Sequence, residues 1–92
     1  IARTVLHGGR RYEEFQAYRP FAAWLEGATG RLVLAEKVAR KLGVVLAIEN
    51  HKDATVPELA KILTRVGSPA VKICLDTGNS FALCEDPALV LD

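Results

Sequence analysis

The stretch "VVLAIENHKD", Val44–Asp53, runs five apolar residues straight into Glu49-Asn50-His51, and "VKICLDTGNS", Val71–Ser80, ends the same way in Asp76-Thr77-Gly78-Asn79. Each reads as a buried strand that stops abruptly at a carboxylate. Between them, Thr55 to Val66 carries a helical pattern. Val56, Leu59, Ala60, Ile62, Leu63 and Val66 recur at three- and four-residue steps, the period of one helix face. Thr55 and Glu58 have capping-box spacing, with Pro57 in the first turn, where its missing N–H is harmless. Gly67-Ser68-Pro69 closes that helix.

The pattern extends toward the N-terminus. "IARTVLH", Ile1–His7, reads as another strand, closed by Gly8-Gly9. Arg10 to Arg19 shows no period and reads as a loop. Pro20 to Leu42 is helical, with Phe21, Trp24, Leu25, Ala28, Leu32, Ala35, Val38, Ala39 and Leu42 on its apolar stripe. Gly27 and Gly30 are expected to weaken this helix or divide it, and Gly43 to end it. Asp86-Pro87 reads as an N-cap and first residue of a further helix running to Asp92.

Strand, helix, strand, helix, strand predicts a parallel sheet with right-handed crossovers. Side chains alternate faces along a strand. Val44, Leu46 and Ile48 share one face with Val71, Ile73 and Leu75, and this large aliphatic set suits a layer of helices. Val45, Ala47 and Glu49 share the other with Lys72, Cys74 and Asp76, and this smaller, more polar set suits the lumen of a closed barrel. Barrels of this kind keep their chemistry at the C-terminal rim of the strands and need about 250 residues. With 92 residues, the chain is expected to be a single α/β domain, a parallel β-α-β-α-β segment of a (β/α)8 TIM barrel and incomplete as such. The face bearing Val45, Ala47 and Cys74 would then stay partly uncovered, which favours self-association into a homo-oligomer.

Glu49 and Asp76 fall at the C-terminal ends of successive strands, which lie about 5 Å apart when paired. Two such carboxylates repel unless one is protonated or a cation lies between them. A divalent metal would resolve the repulsion and act as a Lewis acid. The alternative is that each carboxylate caps a following helix or pairs with a nearby Lys or Arg. His51, two residues past Glu49, suits substrate contact or support of a metal, or else a loop role. His7, at the end of the first strand, is a further candidate for the pocket. Gly8-Gly9-Arg10-Arg11 reads as a solvated basic loop and Trp24 as core.

"LAIENH" followed by "VKICLDTGNS" resembles the sugar phosphate isomerase/epimerase family, the xylose isomerase-like TIM barrels. The likeness covers Val38 to Pro87 well and the first strand loosely. It implies a metal-dependent isomerase or epimerase of a sugar-like hydroxy-carbonyl compound, working by proton abstraction through an enediolate. Glu49 would be a metal ligand and the catalytic acid/base group, and Asp76 a metal ligand. His51, Asn79 and His7 would contact substrate. Many epimerases of the family carry a histidine where this sequence has Asn79, which can hydrogen-bond a sugar hydroxyl but cannot titrate. Carboxylate ligands favour Mn²⁺ or Mg²⁺, and a histidine ligand also admits Zn²⁺ or Co²⁺. A dehydratase of the same barrel superfamily, an endonuclease-IV-like phosphodiesterase and a non-catalytic chain remain as alternatives.

The bulk numbers favour a small-molecule substrate. A net charge of +1 gives no general attraction for nucleic acid or membrane, and no apolar run approaches the ~20 residues a bilayer span needs. The two isolated thiols, Cys74 and Cys84, suit a reducing compartment, so a cytoplasmic location is expected.

Overall fold

A computed structural model describes residues 1–91. Its elements run β1 (Ala2–Val5), α1 (Arg11–Glu14), α2 (Tyr18–Leu42), β2 (Leu46–Glu49), α3 (Val56–Val66), β3 (Val71–Cys74), α4 (Thr77–Ala82) and α5 (Pro87–Leu91). The three strands form one parallel sheet in the order β1-β2-β3, as the alternation of strand and helix predicts. The sheet is open at β1 and β3.

The division of faces follows the sequence except at Leu75, which lies past the end of β3 and is exposed. Ile48 and Val71 are buried, and Leu46 and Ile73 pack against them from partly buried positions. α2 and α3 cover this side, with Phe21, Leu32, Leu59 and Ile62 completing the core. On the opposite side Val45, Ala47, Glu49 and Cys74 are half-buried and Lys72 is exposed.

α3 forms where its capping box lies. Thr55 Oγ1 accepts from the Glu58 amide at 3.3 Å, and Glu58 Oε2 accepts from the Thr55 amide at 2.9 Å. The exposed Arg65–Glu26 pair ties α3 to α2, and this hydrogen bond and charge hold the Glu26 carboxyl below its usual range.

Several boundaries differ from expectation. α2 begins at Tyr18, two residues before the expected start, because Pro20 still lies in the first turn, where helix amides have no intrahelical partner. It runs unbroken through Gly27 and Gly30 to Gly43, which takes the left-handed conformation at φ 67°. The buried face of Phe21, Ala28, Leu32 and Ala39 spans both glycines, and this tertiary packing outweighs their weak propensity. The stretch expected as a loop contains the single turn α1, whose Glu13 and Glu14 amides both donate to the Arg10 carbonyl. Strand β1 stops at Val5, short of His7, and β3 stops at Cys74, short of Asp76. α4, absent from the sequence reading, follows at once because Asp76 caps it. Asp86 Oδ1 accepts from the Ala88 amide at the start of α5. The expected end of that last helix, Asp92, lies outside the described residues.

Candidate active site at the C-terminal ends of the strands

Glu49 is the last residue of β2, and its register partner on β3 is Cys74. Asp76 therefore stands two residues further along than Glu49, and the two are not at matching strand positions. An offset of an even number keeps both on one face. Continued two residues past β3 at about 3.3 Å rise per residue, with about 4.8 Å between strands, this offset corresponds to a Cα separation of about 8 Å, a span that a shared ion can bridge.

Each carboxylate has a local partner. Arg3, on the neighbouring strand β1, places Nη1 3.1 Å from Glu49 Oε2. Asp76 Oδ1 accepts from the Gly78 amide at 2.9 Å and from the Asn79 amide at 3.3 Å, the N-cap of α4. The pairing and the capping that sequence alone offered as an alternative are thus both present. They use one oxygen of each group. Among the described residues Glu49 Oε1 and Asp76 Oδ2 have no hydrogen-bond partner. Two hard, anionic oxygens on one face suit a hard divalent cation. No third His, Cys, Asp or Glu joins them in a ligating group among the described residues.

His51 follows β2 and is half-buried, with a buried Nδ1 that has no hydrogen-bond partner. Asn79 lies on the first turn of α4 and is half-buried. His7 is drawn elsewhere. Its Nε2 meets Glu14 Oε2, and its ring packs 5.4 Å from Trp24 and 6.4 Å from Phe15. Gly9 allows this approach, since a Cβ there would run into the Glu14 carboxylate and the His7 ring. The basic loop is likewise paired. Arg10 binds Glu13, and Arg11 binds Glu58 while its guanidinium stacks over Phe21.

Two residues of the rim escaped the sequence reading. Asn50, directly after Glu49, is fully buried. Its Oδ1 accepts from the Asp76 amide at 2.6 Å, while Nδ2 donates to the Asp76 carbonyl and to Ser80 Oγ, each at 2.9 Å. Asp53 is 1% exposed. Its Oδ2 accepts from the His7 amide at 2.9 Å and its Oδ1 from the Ala54 amide at 2.7 Å. With the bond from the Arg11 amide to the Lys52 carbonyl, Asp53 joins the loop after β1 to the loop after β2. For Asn50 the sequence signal is parity, which sets it on the same side as the buried Ile48; Asp53, four residues past β2, has no such signal.

A parallel sheet in the order β1-β2-β3, with carboxylates at the C-terminal ends of its strands, is consistent with a segment of a β/α barrel. The family model described as xylose isomerase-like TIM barrel matches residues 2–91, and the chain belongs to that family. No curated protein and no solved structure matches it. Among the described residues no helix is long and apolar enough to cross a membrane.

Proposed function

We propose that this chain supplies two ligands, Glu49 and Asp76, of a single divalent metal centre in an isomerase or epimerase of a sugar-like hydroxy-carbonyl compound. The observation that carries the reading is the pair of carboxylates at the C-terminal ends of adjacent parallel strands, Glu49 closing β2 and Asp76 two residues past β3, each with an oxygen left without a partner. Mn²⁺ or Mg²⁺ suits such donors best. When bound, the ion polarises the substrate carbonyl and offsets the charge that develops on its oxygen.

The chain's own residues do the rest. Glu49 takes the proton from the carbon beside the carbonyl, as one of two acid/base groups. Arg3, whose side chain is mostly exposed, can swing away from Glu49 as substrate and ion enter. Asp76 holds its carboxylate still through the amides of α4. His51 and Asn79 orient substrate hydroxyls.

Metal content and steady-state kinetics, measured on the same samples of the full-length protein, test this reading. Asp76→Asn chiefly weakens metal affinity, so excess Mn²⁺ recovers part of the activity. His51→Ala raises KM more than it lowers metal content. Wild-type protein that takes up no divalent ion, or an Asp76→Asn variant with unchanged affinity, would rule the proposed centre out.

A further inference from the structure

The ladder between β2 and β3 ends at the pair Glu49↔Cys74, so no strand hydrogen bond reaches Asp76. A residue just past a strand end, in an exposed position, ordinarily has backbone groups that turn to water. At Asp76 one side chain reaches both, although the carbonyl also accepts from the Ser80 amide of α4 at 3.4 Å. Asn50 receives the Asp76 N–H on Oδ1 and gives an N–H to the Asp76 carbonyl. A primary amide has the donor and acceptor of a peptide unit, so the Asn50 side chain stands in for one more residue of β2 and carries the pairing one step beyond the ladder. Its orientation is fixed, because the flipped amide would set N–H against N–H. The second Nδ2 hydrogen goes to Ser80 Oγ, which satisfies the remaining donor of the side chain. Holding the peptide units on both sides of Asp76 fixes the direction of its Cα–Cβ bond.

We propose that Asn50 is the positioning residue of this site: by clamping both backbone groups of Asp76, it sets where that carboxylate stands relative to Glu49. The proposal rests on the metal reading above for its consequence, and on the hydrogen bonds alone for its geometry. Residues that orient metal ligands from outside the coordination sphere typically change affinity by about 10–100-fold when removed. Asn50 does so through the main chain of the ligand rather than through its carboxylate.

Amide hydrogen exchange and Mn²⁺ binding, followed in the full-length protein, separate the two layers. In the wild type the Asp76 amide is expected to be protected like the ladder amides of β3, although it lies beyond them. Exchange at the rate of an open loop would overturn the proposal with no variant needed. Asn50→Ala speeds Asp76 exchange about tenfold, the equivalent of one net hydrogen bond, while amides of α2 keep their rates. It also raises the Kd for Mn²⁺ at least about tenfold. Ser80→Ala removes a bond from the same buried network but none from Asp76, and it leaves both quantities unchanged. Equal losses in the Ser80 and Asn50 variants, or unaltered Mn²⁺ affinity in Asn50→Ala, would overturn the proposal. If Asn50→Ala does not fold, Asn50→Asp carries the affinity measurement, because it keeps the volume and the acceptor and loses the donor to the Asp76 carbonyl. A wild type that takes up no Mn²⁺ overturns the metal reading instead, and the exchange rates then decide the hold of Asn50 on Asp76 by themselves.

Discussion

Replacing Glu49 with glutamine lowers turnover by at least about 10²-fold, the low end for a positioned acid/base group. Glutamine keeps the length and the hydrogen-bonding reach of the side chain. It removes the negative charge that faces Arg3 at 3.1 Å, and an amide oxygen is too weak a base to take a proton from carbon. The loss should therefore fall on the proton-transfer step. Exchange of the substrate proton beside the carbonyl with D₂O, followed by NMR over a panel of ketoses and hydroxy-aldehydes, reads that step directly. Full exchange activity together with full metal occupancy in Glu49→Gln would mean that the carboxylates serve only Arg3 and the cap of α4.

Phe21→Ala is expected to cost about 3–5 kcal/mol, the range for deleting a buried aromatic ring. Phe21 is 1% exposed and sits at the centre of a ring cluster, 5.4 Å from Phe15 and 5.6 Å from Trp24. Truncation leaves a cavity between α2 and the sheet. It also takes away the surface on which the Arg11 guanidinium lies, 3.7 Å from the ring centroid. Against a typical stability of about 5–15 kcal/mol, this is a large share of the total and moves the urea midpoint well down. Urea unfolding of the variant beside Tyr18→Ala, whose ring is mostly exposed, isolates the packing loss. A change below about 1 kcal/mol would fall short of the range for a buried large-to-small deletion and would remove Phe21 from the core.

The parts of this fold that were legible in the sequence are those with a long signal. Three apolar runs and two helical stripes suffice to predict a parallel sheet and its buried face, and the Thr55–Glu58 spacing predicts how α3 begins. The parts that were not legible are short or depend on register. α1 is one turn, too brief for a period to appear. α4 holds six residues including Gly78, and it is announced only by Asp76, whose side chain reads equally well as a ligand or a cap. The two-residue offset between Glu49 and Asp76 follows from where β2 and β3 align, which neither strand specifies alone. Asn50 and Asp53 carry no hydrophobic signal, and polar residues that follow a strand read as loop. Their burial depends on partners 26 and 46 positions away.

The strand order β1-β2-β3 has a kinetic consequence. Each strand pairs with its predecessor in the chain, so the sheet can grow by addition at one edge. Joining β2 to β3 closes a shorter loop than joining β1 to β2, an advantage of roughly half a kcal/mol in chain entropy, and the segment between carries its own capping box. The unit from Leu46 to Cys74 is thus expected to assemble first and to template the docking of β1. In refolding experiments Ile62→Val should slow folding, whereas Val5→Ala should mainly hasten unfolding. The reverse pattern would place the nucleus at the other edge. Where β1 docks last, Arg3 reaches Glu49 last, and the ends of β2 and β3 take shape before the charge that faces them arrives.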